Sequence, residues 1–202
     1  MNPPSTEDER LAELDRTDMA RLTGGHQAAL NDLMERHSLR LFHYLVRQLK
    51  DESEAEDVAQ ETFVRVYQHS KKFDPALRFS TWLYTIATNL VKDRFRYRSS
   101  RPQVSLEAAS EGESGLKHVI SDESVPSPAE DLQAAERAES VRKAVADLPE
   151  ELRTPLILSE YEELSHAEVG AILKCSAKAV ETRIYRARQL LRVSLCKLLE
   201  AV

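Results

Sequence analysis

Apolar residues recur at three- and four-residue steps along most of this chain, a pattern that predicts a succession of amphipathic helices. After the Gly24-Gly25 break, Leu30, Leu33, Met34, His37, Leu41, Leu45 and Leu49 fall on one helical face, with His37 a packed core residue rather than a ligand. Ser53 and Glu56 stand at capping-box spacing for the next helix, where Ala55, Val58, Ala59, Thr62, Phe63, Val66 and Tyr67 share a side. The turn at Phe73-Asp74-Pro75 closes that segment, because proline restrains the residue before it and cannot continue the helix. A third helix starts near Ser80 and carries Trp82, Leu83, Ile86, Ala87, Leu90, Val91 and Phe95 at helical spacing.

Residues 102 to about 129 break this rhythm. They are rich in Ser, Glu, Pro and Gly and read as a mobile acidic linker. The helical pattern resumes at Leu132, Ala135, Ala138, Val141, Val145 and Leu148. Pro149 suits a first helical turn, whereas Pro155 is expected to kink that helix or reset its start. Residues 165–192 then read as a helix-turn-helix. Ser165 and Glu168 form a capping box, and Val169, Ile172 and Leu173 make the first apolar stripe. The turn is Lys174-Cys175-Ser176, with Ser176 placed to cap the second helix. In that helix Val180, Ile184, Ala187 and Leu191 form the buried face.

The fold class is therefore all-α: two small helical domains joined by a flexible acidic linker, the C-terminal one a helix-turn-helix. The boundaries fall at 1–20 for an acidic N-terminal segment expected to be partly disordered, 21–101 for the first domain, 102–129 for the linker and 130–202 for the second domain.

Charge sharpens the picture. The 202-residue chain has a formal net charge of -6, yet its cations concentrate on two helices. One is the second helix of the helix-turn-helix, with Lys178, Arg183, Arg186, Arg188 and Arg192 beside Glu181 and Thr182. The other is the end of the helix after Ser80, with Lys92, Arg94, Arg96, Arg98 and Arg101 interleaved with Phe95 and Tyr97. A cationic helix on an acidic protein points to nucleic-acid phosphate. Arginine and lysine reach phosphates or the O6/N7 edge of guanine, and Glu181 can accept from cytosine N4. Cations mixed with aromatic rings suit single-stranded DNA, where charge follows the backbone and ring faces hold unstacked bases. The helix after Ser53 presents the opposite chemistry: Glu54, Asp57, Gln60, Glu61 and Arg65 make a carboxylate and amide face that repels phosphate, and is either a solvated acidic surface or one that suits a basic protein partner.

Mean hydropathy is -0.46, and no apolar run approaches the roughly 18 residues that span a bilayer. The polar, acidic N-terminus is unlike a secretory signal, so a reducing cytoplasm is the expected compartment and direct membrane insertion is not expected. Two cysteines without a CxxC build neither a disulfide framework nor a zinc site. Six scattered histidines, with no HExxH, phosphate loop or nucleophile elbow, argue against an enzyme; no catalytic residue, metal or cofactor is assigned.

Several segments in order resemble one family. Residues 55–63 (AEDVAQETF), Phe79-Ser80-Thr81-Trp82-Leu83 followed by Ile86-Ala87, Asn89 and Asp93-Arg94, and then Leu148-Pro149, Leu164-Ser165 and Tyr185-Arg186-Ala187-Arg188 are similar to the extracytoplasmic-function (ECF, group IV) sigma factors of the sigma-70 family. The resemblance covers nearly everything from residue 20 to 198. It implies that the first domain is sigma region 2 and the second sigma region 4. Glu54, Asp57, Gln60, Glu61 and Arg65 would bind core RNA polymerase, docking on the coiled coil of its largest subunit, with the second-largest subunit as a further partner. Lys71, Lys72, Arg78, Ser80, Asn89, Lys92, Arg94, Arg96 and Arg98 would serve the −10 element, the loop over residues 71–78 forming a pocket for a flipped base. Ser176, Lys178, Glu181, Thr182, Arg183, Arg186 and Arg188 would read −35. The family implies an anti-sigma factor, which can hold the protein near the membrane, and a linker that passes through the polymerase interior, where its acidity would mimic nucleic acid.

Two features depart from the family pattern: Lys174 stands where the turn often has Gly, and Glu181 where many relatives carry Lys. The alternative function is a two-domain helix-turn-helix regulator that binds duplex DNA without polymerase; the acidic face of Asp57, Gln60 and Glu61 argues against it.

Overall fold

A computed structural model describes residues 6–100 and 128–199, and every regular element among them is helical. The first region holds α1 (Thr6–Thr23), α2 (Ala28–Leu49), α3 (Glu52–Gln68), a 3-10 turn (Ser70–Lys72) and α4 (Phe79–Ser100). The second holds α5 (Pro128–Ala146), α6 (Glu150–Glu160), α7 (His166–Leu173) and α8 (Ala177–Leu199). The expected linker falls almost wholly on residues 101–127, which lie outside the described residues.

Helix α2 organises the first region. Leu33, Leu41, Tyr44 and Leu45 are fully buried and meet Val58, Phe63 and Val66 of α3 and Leu83, Ala87 and Val91 of α4 in one core. Burying each large aliphatic side chain contributes about 1.5–3 kcal/mol. Met34, expected on this stripe, instead lies on the exposed side of its helix. His37 packs as expected, tilted on the Phe79 ring with its Nε2 2.9 Å from Asp15 Oδ2.

Asp15 belongs to a segment where the sequence suggested partial disorder. The structure instead places α1 against α2, with Met19 and Leu22 buried. A buried charge network fixes this contact: Arg36 Nε donates to Asp15 Oδ1 at 3.0 Å and its Nη2 to Asp18 Oδ2 at 2.5 Å. These carboxylates satisfy the guanidinium fork across two helices, a pairing that local composition does not display. The start of α3 also differs from expectation. Asp51, not Ser53, is its N-cap, its Oδ1 accepting from Glu54 N at 2.9 Å.

In the second region Pro149 caps α6 in an extended conformation, and the helix runs through Pro155 without a restart. The missing N–H sits in the second turn, and the ring is buried beside Leu152 and Leu156; that packing offsets the lost hydrogen bond. The capping box of α7 is present: Glu168 N donates to Ser165 Oγ at 3.3 Å and Ser165 N to Glu168 Oε2 at 2.9 Å. Lys174 ends α7 in the left-handed region (φ 55°, ψ 46°), and Cys175 N closes back on Gly170 O at 2.9 Å. Only glycine fits at position 170, because a Cβ there would stand 2.7 Å from Cys175 O. Ser176 Oγ caps α8 by accepting from Ala179 N at 3.1 Å.

The two regions pack together, with α7 against α4 and α6 against α2. Thr154 Oγ1 of α6 donates to the buried Gln48 Oε1 of α2 at 3.2 Å.

The left-handed cap gives a stability prediction. A non-glycine residue in that conformation costs about 1–2 kcal/mol, of which glycine's larger unfolded-state entropy takes back roughly 0.5–1. Lys174→Gly is therefore expected to raise unfolding free energy by about 0.5–1 kcal/mol in urea titration. Gly170→Ala should lower it by about 1–3 kcal/mol through overpacking.

Candidate nucleic-acid interface

Helix α8 buries Val180, Ile184 and Ala187 against α6 and α7, so the positions between them face outward. Lys178, Glu181, Thr182, Arg186 and Arg188 all lie on that outer surface. They are not equally available. Lys178 Nζ donates to Glu181 Oε2 at 2.9 Å, and Thr182 Oγ1 donates to Lys178 O at 2.9 Å. Arg188 Nη2 donates to Glu160 Oε1 of α6 at 2.7 Å. Arg183 is half-buried, its Nη1 3.6 Å from the Cys175 Sγ in the turn. Ser176 is engaged as the cap of α8. The geometry also brings up two residues that the sequence reading did not assign to the −35 surface. Tyr185, 62% exposed, and His166 line a groove of about 370 Å³ with Lys178, Glu181, Thr182 and Arg188. Tyr185 lies one helical turn beyond Thr182, a periodicity visible in the sequence once the buried face is known.

The second cationic surface follows the 3-10 turn and α4. Lys71 and Lys72 are exposed on the turn, Asn89 and Arg94 are exposed on α4, and Ser80 is half-buried in its first turn. Arg96 Nη1 pairs with Asp93 at 3.0 Å. Arg98, expected at −10, and Glu54, expected on the polymerase-binding face, instead pair with each other and tie α4 to α3. Arg78 Nε lies 3.7 Å from Glu168 Oε1 of α7. Lys92 lines a cavity of about 490 Å³ together with Glu150, Glu151, Thr154 and Arg183 from the second region. Phe73, Phe79 and Trp82 form an aromatic cluster with centroids 5.3–6.3 Å apart, so Trp82 is packed in the fold rather than presented to a base.

On α3, Asp57 and Gln60 are exposed, and Glu61 Oε1 accepts from Arg65 Nε at 2.8 Å. Val64, 47% exposed, continues the same stripe at i, i+3, i+4, i+7 spacing and adds an apolar contact point to a polar face. Among the described residues, no group of three or more His, Cys, Asp or Glu side chains is arranged to hold a metal ion. No described helix is long and apolar enough to cross a membrane.

A helix-turn-helix with a cationic outer face and a second helix with a cationic end define an all-helical DNA-binding protein. Residues 33–101 match sigma-70 region 2 and residues 138–191 match sigma-70 region 4. The chain is 36% identical over 174 residues to the ECF RNA polymerase sigma factor SigW of Bacillus subtilis, covering 85% of this chain and 91% of that protein. It is 33% identical to the RNA polymerase sigma-H factor of Pseudomonas aeruginosa, over 93% of this chain and 96% of the relative. Its structure is similar to that of CnrH in complex with the cytosolic domain of CnrY, at TM-score 0.64 and 28% identity, covering 93% of this chain and 98% of that one. The chain belongs to the ECF sigma factors of the sigma-70 family; it is a transcription-initiation factor and not an enzyme.

Local electrostatics on the reading helix can be tested directly. The hydrogen bond from Lys178 holds the Glu181 carboxyl below the ordinary glutamate range. Lys178→Ala should move the Glu181 titration midpoint upward, toward the unperturbed value of about 4.3, in a carbon-detected NMR titration. An unchanged midpoint would show that the pair does not persist in solution.

Proposed function

We propose that the chain docks on core RNA polymerase through α3, reads −35 with α8 in the major groove, and captures unstacked −10 bases with α4 and the turn before it. The observation that carries this reading is the segregation of charge. Two cationic surfaces sit on separate helical regions, and the carboxylate-amide stripe of Asp57, Gln60 and Glu61 stands apart from both. Carboxylates repel phosphate, so that stripe, with Val64 at its edge, suits a basic protein surface. The family supplies its identity as the largest polymerase subunit, with the second-largest subunit completing the holoenzyme and the cytoplasm as the place of action.

Within the −35 surface the ion pairs rank the side chains. Arg186 is exposed with no ion pair drawn from the described residues, which makes it the principal base or phosphate contact. Arg188 exchanges Glu160 for phosphate, an exchange of low net cost because exposed pairs contribute about 0–1 kcal/mol. Glu181, neutralised by Lys178, accepts from cytosine N4 and shifts the preferred −35 sequence away from that of relatives with a cation there. Tyr185 and His166 flank the same groove and extend it along the backbone. An anti-sigma factor is the expected inhibitor, as CnrH has been captured with the cytosolic domain of CnrY.

The test is run-off transcription with core polymerase over a promoter library. The purified chain should direct initiation only when core is present. A duplex-binding regulator would instead footprint promoters alone and leave run-off unchanged. Arg186→Ala should lose about 1–3 kcal/mol of −35 discrimination if its contact is to a base edge, or flatten the salt dependence by about one ion if to phosphate. Asp57→Ala with Gln60→Ala should weaken core binding at least about tenfold, or 1.4 kcal/mol, in fluorescence anisotropy. Equal core affinity in that variant would remove α3 from the docking surface.

A further inference from the structure

The loop that leads into α4 is tied down from α1, a helix outside both cationic surfaces. Residues 74–78 are all exposed, so burial does little to fix their path. The hydrogen bonds within the loop are local. Phe73 N donates to Ser70 O at 3.1 Å and closes the 3-10 turn. Ala76 N donates to Asp74 Oδ1 at 2.9 Å and Leu77 N to Asp74 O at 3.0 Å, closing the next turn. These bonds shape each turn but do not orient one against the other or against α4. Holding an exposed stretch in one shape costs backbone entropy, and contacts from outside the loop offset that cost.

Helix α1 makes such contacts at the start, the middle and the end of the loop. At the start, the Thr23 hydroxyl proton is shared between Met19 O at 2.8 Å and Ser70 O at 3.5 Å. In the middle, Arg16 Nε donates to Pro75 O at 3.4 Å, while Arg16 Nη1 pairs with Glu13 one turn back. At the end, Asp15 Oδ2 lies 2.9 Å from His37 Nε2, and the His37 ring centroid stands 5.0 Å from that of Phe79, the first residue of α4. Phe79 and Trp82 in turn receive the loop's Phe73 ring at 6.3 and 5.3 Å. The helix that makes these contacts is itself fixed, since Met19 and Leu22 are buried and Arg36 holds Asp15 and Asp18.

We propose that α1 is a brace for the −10 loop, with Arg16 and Thr23 as positioning residues and the Asp15–His37 pair as its link to Phe79. The inference rests on the reading of residues 71–78 as the base-capturing loop and adds what holds that loop in shape. Helix α1 lies ahead of residues 33–101, the segment that matches sigma-70 region 2, so the brace extends the capturing surface beyond that segment. Its six Asp and Glu against three Arg make α1 a poor phosphate ligand, and its effect on DNA acts through the loop. A loop already held in its bound shape loses less entropy when a base enters. Loosening the brace leaves Lys71, Lys72 and Arg94 exposed to phosphate, so backbone attraction persists while base discrimination falls.

The test uses holoenzyme reconstituted from core polymerase and the full chain. Fluorescence anisotropy measures its affinity for a non-template-strand oligonucleotide covering the −10 element of a promoter active in run-off, and for strands with one abasic site at each −10 position in turn. Wild type should show a position where base loss weakens binding about fivefold or more. In Arg16→Ala with Thr23→Val that penalty should shrink about threefold, with affinity for core and for the abasic strand within about twofold of wild type. Arg16→Lys with Thr23→Ser retains both donors and should restore the penalty. An undiminished penalty in the first variant overturns the brace, as does a conservative variant that restores nothing. Wild-type holoenzyme indifferent to every abasic site overturns the −10 reading of the loop, and the brace with it. A second readout needs no DNA. Amide hydrogen exchange of the full chain should quicken at Phe73, Ala76 and Leu77 in the first variant, while Leu41 and Val58 in the core keep their protection. Unchanged exchange in the loop overturns the proposal, and so does equal loss of protection in the core, which marks a global defect.

Discussion

A protein built to hold a polyanion while itself carrying a net charge of -6 must keep its cations from being lost among its own carboxylates. This constraint shapes nearly every functional surface of the molecule. Lys178 leans on Glu181, Arg188 on Glu160, Arg98 on Glu54 and Arg78 on Glu168. Most of these pairs are at least partly solvated, and such pairs contribute little to stability. That weakness makes them exchangeable, since phosphate can replace carboxylate at small net cost. On α3, Glu54 takes part in this exchange through Arg98, whereas Glu61 pairs within its own helix with Arg65.

Glu162 obeys different physics. Burial pushes its carboxyl above the ordinary range, and the Tyr84 hydroxyl with the Arg40 and Arg47 guanidiniums pulls it part of the way back. Burial and the same carboxylate raise the Tyr84 phenol. A buried ion cluster of this kind is strongly destabilised when one partner is removed, yet adds little net stability as a whole. It specifies a geometry, and here the geometry joins two regions that also share one buried apolar cluster. Helix α2 is common to both roles, since Leu33, Leu41 and Leu45 fill the first core while Arg40, Arg47 and Gln48 receive the second region.

The sequence carried the local part of this architecture well. Apolar periodicity located α2, α3, α4 and the helix-turn-helix, and the Ser165–Glu168 capping box stands as its spacing implied. What it concealed was non-local or competitive. Helix α1 looked like a polar lead because Asp15 and Asp18 are acidic, and only the fold reveals Arg36 opposite them. Asp51 outcompeted Ser53 as the cap of α3, since both are good N-cap types and spacing alone does not rank them. Pro155 was expected to reset α6, but its cost is confined to one hydrogen bond while its ring joins a buried face. In the candidate interfaces the cationic residues were legible one by one; their partners, such as Glu54 for Arg98 across 44 positions, were not.

The turn of the helix-turn-helix shows how such departures persist. Gly170 must lack a Cβ because Cys175 O comes to within 2.7 Å of where it would stand, so α7 and the turn are held tightly together. That close approach requires the chain to reverse at Lys174, which does so at φ 55° although it is not glycine. The strain is localised to one residue and is offset by what the turn secures: the Cys175 N to Gly170 O bond, the Ser176 cap on α8, and burial of Val169, Ile172, Val180 and Ile184 between the two helices. Lys174 itself remains exposed, adding a positive charge beside the start of the reading helix that glycine would not supply. A substitution that relaxed the backbone here would gain stability but give up that charge. The position therefore trades backbone strain at one residue for an exposed positive charge in the turn.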